Sequence, residues 1–293
     1  MRLITFIHDN KEQPGVLSCC GKIVYPAAAF GLPYPTMNQL IEAITPEERR
    51  ALEQAETSGV PGIPFEEVSL EAPIPIPRQD VICLGINYMA HAEESARFKS
   101  EAFGGERPYA VYFSKRVNRA VAPGGYIESH PGLVGQLDYE AELAVVIGKA
   151  CRNIKPEEAR EYVFGYTVLN DVSAREIQTR HNQWYFGKSL DGFTPMGPCI
   201  LTADEVPYPP KLQVQSYVNG ELRQDGNSSL LIFGLDHIIS ELSAGMTLLP
   251  GTIISTGTPA GAGMGFTPPR FLTSGDVVEC RVEQVGSIIN TVR

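Results

Sequence analysis

The sequence predicts a mainly β protein with short helices, preceded by a small α+β segment. Three observations carry this reading. Short β-branched runs recur after residue 80, at 81–84, 143–147, 214–218, 252–255 and 277–282, with Gly and Pro between them. That pattern fits an all-β core with irregular connections. The first 75 residues instead mix short strands with two helices. Between the two regions, EAPIPIPRQD (71–80) repeats proline in a way that no helix tolerates, and reads as an extended linker. The expected division is therefore a small N-terminal domain, 1–75, and a catalytic domain, 76–293.

Taken in order, residues 3–7 and 16–24 are expected to form strands around a turn at Pro14-Gly15. A helix should use Leu40, Ile41 and Ile44. Thr45-Pro46-Glu47-Glu48 then has a strong helix start: Thr45 as N-cap, Pro46 at the first helical position and Glu48 closing a capping box. That helix is expected to reach about residue 56. Further helices are expected from Pro156 to about Val163 and over 231–242. The stretch from His91 to about Gly105, rich in Ala, Glu and Lys, is expected to act as a lid that orders over substrate.

Composition excludes several classes. The chain has 293 residues, 43% hydrophobic and 20% charged, which is enough for a sizeable core. A net charge of −10 argues against nucleic acid as the main partner, since phosphate binding needs clustered Lys and Arg. The six cysteines form no C-x-x-C pair and read as buried free thiols in a reducing compartment. The N-terminus shows no basic stretch followed by a long apolar one, and no apolar run reaches the roughly 20 residues of a membrane span. The expectation is a cytoplasmic protein with no membrane partner.

The sharpest motif is DYEAELAVVIGK, 138–149. Glu140 and Glu142 stand two residues apart at the start of an apolar strand, so they point to one face. Two like charges at the edge of a core repel unless a cation lies between them, and hard oxygen ligands suit Mg²⁺ or Mn²⁺. The plain alternative is a solvent-facing acidic edge. Asp171 ends another apolar run, in GYTVLNDVSAREIQ (165–178), and would supply a third carboxylate. Its plain alternative is a helix N-cap. In GINYMAHAEE (85–94), His91 and Glu94 are three residues apart on one helix face, a workable general base, or else a surface pair of little consequence. Lys188 follows the aromatic cluster Trp184, Tyr185, Phe186 and is placed to neutralise a carboxylate or enolate, although a lone Lys is usually a surface residue. The Gly-rich run 255–263 lets backbone N–H groups approach an anion, but lacks the Gly-Lys-Ser/Thr ending of a phosphate loop. No G-x-G-x-x-G follows an early strand, so a dinucleotide site is not expected.

These motifs, with GKSLDGFTPMGP, VNGE, PGTIISTGTPAGAGMG and FLTSGDVVEC in the same order, resemble the fumarylacetoacetate hydrolase family over about residues 80–293. The resemblance implies a mixed β-sandwich roll, usually in a homodimer. It implies a Mg²⁺ or Mn²⁺ ion held by Glu140, Glu142 and Asp171, a catalytic His91–Glu94 dyad with Lys188, and substrate contacts from Gln178, Thr258 and Tyr88. One departure is Arg116, where such proteins often carry proline after the lysine that matches Lys115. The implied reaction is hydrolysis of a C–C bond in an acylpyruvate-type 2-oxo acid, similar to fumarylacetoacetate or fumarylpyruvate, through a metal-bound enolate, as in aromatic catabolism. The alternatives are an oxaloacetate-type decarboxylase, or an isomerase or hydratase of a 2-oxo-alkenoate. A non-catalytic binding protein of the same fold is disfavoured, because all five metal and dyad positions are present.

Overall fold

The computed structural model describes residues 1–99, 105 and 108–293. Its centre is an eleven-stranded mixed sheet. Along it lie Ile63–Pro64, Ile23–Pro26, Lys11–Leu17, Arg2–His8, Met196–Thr202, Val163–Asn170, Ala141–Ile147, Ile253–Ser255, Val81–Gly85 and Val111–Lys115, with Ser69–Leu70 pairing off Arg2–His8. All pairings in it are antiparallel except Ile253–Ser255 with Val81–Gly85. A second, five-stranded sheet runs Glu221–Asn227, Gln213–Val218, Val277–Val282, Gly286–Val292, Tyr126–Ile127.

The strand Ala141–Ile147 explains why the apolar run is unbroken. Each of its seven residues is buried, because neighbours flank it on both edges and layers cover both faces. Leu143, Val145 and Ile147 pack with Val214, Val278, Cys280 and Val282 of the second sheet. Ala144 and Val146, on the opposite face, pack with Met37, Leu40 and Ile41 of the helix Met37–Ala43. The N-terminal residues thus share both a sheet and a core with the rest: Arg2 and Leu3 stand opposite Leu201 and Ile200.

The strand expectations after residue 80 agree with the structure to within two residues at each end. The capping box at Thr45 is present, with the Thr45 hydroxyl accepting from the Glu48 N–H and the Glu48 carboxylate accepting from the Thr45 N–H. That helix ends at Glu53, and a 3₁₀ turn, Ala55–Thr57, completes the stretch. The later helix starts at Leu235 rather than 231.

The turn placed at Pro14-Gly15 is corrected. Both residues lie inside a strand, opposite Thr5 and Ile4. The chain reverses at Asp9-Asn10, whose φ angles of 50° and 59° match the left-handed pair of a tight hairpin. The proline segment 71–80 is extended as expected, but packed: Ala72 and Ile74 are buried, and the Thr5 hydroxyl donates to the Pro73 carbonyl. Of the six free thiols, Cys83, Cys151, Cys199 and Cys280 are buried, whereas Cys19 and Cys20 are exposed. The proposed lid begins as the helix Met89–Phe98, and its remainder lies in part outside the described residues.

Candidate active site

Two neighbouring strands deliver the carboxylates. Glu142 lies in Ala141–Ile147, Glu140 just before it, and Asp171 directly after the adjacent Val163–Asn170. The pairing of Ala141 with Asn170 brings the two ends together. Ligand oxygens from Glu140, Glu142 and Asp171 lie within 4.8 Å of one another, and all three residues are buried. Asp171 caps no helix side chain to backbone; the helix Arg175–Arg180 starts from Ala174 without a side-chain cap.

Buried cations surround the cluster. The Lys188 ammonium donates to Glu140 Oε2 at 2.6 Å and to Asp171 Oδ2 at 2.7 Å. Arg175 donates to Glu140 Oε1 at 2.7 Å and to Asp138 Oδ2 at 2.8 Å. The Lys115 ammonium, fully buried, donates to Asp171 Oδ1 at 2.7 Å. Burial opposes the Glu140 carboxylate, but Arg175, Lys188 and His91 outweigh it and hold its pKa well below the usual range. Burial likewise opposes the Lys188 ammonium, yet Asp171 and Glu140 raise its pKa overall. Glu142 differs. Among the described residues it touches no cation, only the Ser255 hydroxyl at 2.5 Å and the Gly257 N–H at 2.9 Å. Burial, Asp171 and Glu140 push its pKa up to about 8.

The His91 ring bridges two carboxylates. Its Nδ1 is 3.4 Å from Glu94 Oε2, and its Nε2 is 3.9 Å from Glu140 Oε1. Glu94 in turn accepts from the Gly261 N–H at 2.9 Å. The Gly-rich run does approach anions, and these are the protein's own carboxylates: Gly257 donates to Glu142, Gly261 to Glu94, and Gly263 and Met264 to Asp138. Glycine is needed for the approach at Gly261, whose φ is 106° and where an added Cβ would lie 1.9 Å from the Arg223 carbonyl oxygen.

His91, Glu140, Glu142, Gln178, Lys188 and Thr258 all line one cleft, with Phe113, Trp184 and Arg175. Glu94 stands behind His91. The Gln178 carbonyl accepts from Arg175, leaving its amide NH₂ without a protein partner among the described residues. The Thr258 hydroxyl is already engaged: it donates to the Ala141 carbonyl at 2.8 Å and accepts from Gln224 at 2.6 Å. Tyr88 is not brought to the cleft wall. It is buried beside Gly226, and its hydroxyl has no partner among the described residues.

Residues 80–293 match the family model described as fumarylacetoacetate (FAA) hydrolase C-terminal. The chain belongs to this family. It is 47% identical over 228 residues to "Oxaloacetate tautomerase YisK" from Bacillus subtilis (strain 168), covering 78% of this chain and 74% of that protein. Among solved structures, the fumarylacetoacetate hydrolase of Exiguobacterium antarcticum is 36% identical, with TM-score 0.83 over 100% of this chain and 99% of that one. The maleylpyruvate hydrolase of Sphingobium sp. SYK-6, in complex with manganese (II) ion and pyruvate, is 32% identical, with TM-score 0.78 over 100% of this chain and 98% of that one.

The donor set fits the divalent cation that the family implies. Four buried carboxylates, Asp138, Glu140, Glu142 and Asp171, face three buried cations, Arg175, Lys188 and Lys115. The shortfall falls on Glu142, which alone of these four has no cation contact among the described residues, and a hard cation beside it would offset its desolvation penalty. Sequence reasoning assigned no role to Asp138, Arg175 or Lys115. Asp138 had a readable signal, as the first of three acidic residues at alternate positions, and Arg175 stands four residues after Asp171. Lys115 had none.

Proposed function

We propose that this chain is a Mg²⁺- or Mn²⁺-dependent enzyme that forms and reprotonates the enolate of a small 2-oxo acid, with keto–enol interconversion of oxaloacetate as its first substrate reading. The observation that carries it is the buried Glu140–Glu142–Asp171 cluster, whose Glu140 and Glu142 line one cleft with His91, itself backed by Glu94. The relative named as an oxaloacetate tautomerase, at 47% identity, supports the choice of reaction.

Glu140, Glu142 and Asp171 would hold the cation, which when bound supplies Lewis-acid polarisation of the 2-oxo group. The chain's own groups do the rest. With Nδ1 facing Glu94, His91 presents Nε2 to the cleft as the base that takes the C3 proton and later returns one. The Lys188 ammonium balances the charge that develops on oxygen, and the free amide NH₂ of Gln178 offers a hydrogen bond to a substrate carboxylate.

A second reading is hydrolysis of an acylpyruvate C–C bond, in which the same imidazole would deprotonate water for attack on the distal carbonyl. The buried backing of His91 by Glu94 favours it, and so does the family relative named as a maleylpyruvate hydrolase. Decarboxylation of an oxaloacetate-type acid would reach the same enolate with no base at all.

The test is a panel with added Mg²⁺ or Mn²⁺: enol decay of oxaloacetate by ultraviolet absorbance, and pyruvate release from acylpyruvates and from oxaloacetate. Rapid enol decay without pyruvate release supports the first reading, and pyruvate from acylpyruvates supports the second. His91→Ala should lower kcat by about 10²–10⁴-fold while oxalate, a mimic of the pyruvate enolate, still binds. Glu142→Ala should abolish oxalate binding. Full activity in excess EDTA would overturn the metal assignment. We also propose a homodimer; a monomer by light scattering at micromolar concentration would count against it.

A further inference from the structure

The strand Ala141–Ile147 loses one neighbour where the carboxylates begin. Ile253–Ser255 pairs with it only along Ala144, Val145 and Val146. One residue further on, Thr256 still reaches the Leu143 carbonyl, with its N–H at 3.1 Å and its hydroxyl at 2.8 Å. The chain then turns away into the Gly-rich run. Ala141, the residue between Glu140 and Glu142, is left with its N–H and carbonyl on an edge that no strand among the described residues covers. The other edge is served from the strand Val163–Asn170 and its end. There the Glu140 N–H donates to Asn170 Oδ1 at 3.0 Å, and the Glu140 carbonyl accepts from the Asp171 N–H at 2.9 Å.

Two side chains stand in for the missing strand. The Ala141 N–H donates to Gln224 Oε1 at 2.9 Å, and the Ala141 carbonyl accepts from the Thr258 hydroxyl at 2.8 Å. Gln224 Nε2 closes the ring by donating to Thr258 Oγ1 at 2.6 Å, and it also donates to the Pro259 carbonyl at 2.8 Å. Groups that cannot reverse fix the polarity. A peptide N–H only donates, so the amide oxygen must face Ala141. The Pro259 carbonyl only accepts, so the amide nitrogen must face the Gly-rich run. The ring is sealed from water: Ala141 and Gln224 are 0% exposed and Thr258 2%. Opening it would strand buried polar groups, which is what holds it closed.

Gln224 comes from the other sheet. It lies in Glu221–Asn227, the strand at one end of the five-stranded sheet. The Gly-rich run is laid against that strand, so closely that an added Cβ at Gly226 would lie 2.5 Å from Pro259 Cβ. One amide thus joins the strand end that carries Glu140 and Glu142 to the segment that carries Thr258. Gln224 itself is not among the residues that line the cleft, whereas Glu140, Glu142 and Thr258 are. We propose that Gln224 is a positioning residue for the cleft. Through the Ala141 peptide it sets the spacing of Glu140 and Glu142, and through Thr258 Oγ1 it sets that side chain at the cleft wall. The proposal rests on the metal-dependent reading above and extends its machinery to the second sheet.

The test is calorimetric binding of oxalate to the whole protein in saturating Mn²⁺, beside chemical denaturation of the same variants. Gln224→Met keeps the side chain's length and removes its three hydrogen bonds. Oxalate affinity should fall by about 10–100-fold, the usual effect of losing a group that orients a ligating side chain. Thr258→Ser keeps the ring and should bind within about threefold of wild type. Thr258→Val opens the ring and should lose as much as Gln224→Met. The double variant should be no weaker than the worse single one, because both break one ring, whereas independent contributions would multiply. Ile288→Ala, at a buried position of the second sheet, should lower the denaturation midpoint and leave oxalate affinity within about threefold. That contrast separates positioning from a general loss of stability. Gln224→Asn is one methylene shorter and withdraws the same amide from its partners, so it answers the question if Gln224→Met fails to fold. Wild-type oxalate affinity in the folded Gln224 variants or in Thr258→Val, a multiplied loss in the double variant, or an equal loss in Ile288→Ala overturns the proposal and leaves the metal-dependent reading standing. Failure of wild type to bind oxalate with Mn²⁺ overturns that reading itself.

Discussion

Charged pairs hold together both the cleft and the N-terminal segment, at similar distances and with opposite consequences. Arg49 and Glu53 in the helix Pro46–Glu53 meet at 2.9 Å with their side chains 30% and 35% exposed. Arg175 and Glu140 meet at 2.7 Å with 2% and 6% exposed. Water and salt screen the first pair, so either partner can be lost cheaply. The second pair has no solvent to fall back on, so removing one partner strands the other. Burial, not distance, makes the cleft pairs binding constraints on geometry. The N-terminal segment is held chiefly by its apolar face instead, with Leu40 and Ile41 packed under Ala144 and Val146.

The comparison can be broken at several points. The largest effect should come from Arg175→Met, which leaves Asp138 and Glu140 without their shared partner. A loss of about 3–5 kcal/mol is expected, read from urea or guanidinium denaturation; a loss below 1 kcal/mol would mean that burial does not separate the two regions. Next is Leu40→Ala, at a fully buried position. It should cost about 2–5 kcal/mol, and a surface-like result would show that the N-terminal helix is not anchored by its apolar face. Thr45→Ala removes the capping box seen in the structure and should cost about 1 kcal/mol, measurable as a shift in denaturation midpoint at unchanged slope. The smallest effect belongs to Glu53→Gln. Losing an exposed pair one helical turn apart should cost about 0.3–0.5 kcal/mol, and salt should diminish the difference. A Glu53→Gln effect as large as that of Arg175→Met would remove the contrast altogether.

Much of this molecule was legible in its sequence, because the legible parts are local. The apolar run before Gly148 marks a strand buried on both faces, alternate acidic positions mark a shared direction, and Thr45-Pro46-Glu47-Glu48 marks a helix start. Each depends on residues within a few positions of one another, where backbone periodicity and capping chemistry decide the outcome. The carboxylates Glu140, Glu142 and Asp171 could be nominated for the same reason. Their partners could not. Lys115 reaches Asp171 across 56 positions, and Arg175 reaches Asp138 across 37. A lysine in sequence is by default a surface residue, and only packing turned this one inward. The Gly-rich run allowed for the approach of an anion; the tertiary structure decided that the anions are Asp138, Glu142 and Glu94. Pro14-Gly15 looked like a turn because both residues favour turns, yet the sheet drew them into a strand and left the reversal to Asp9-Asn10. Local chemistry was written in the chain, whereas the identity of each buried charge's partner depended on which distant strands became neighbours.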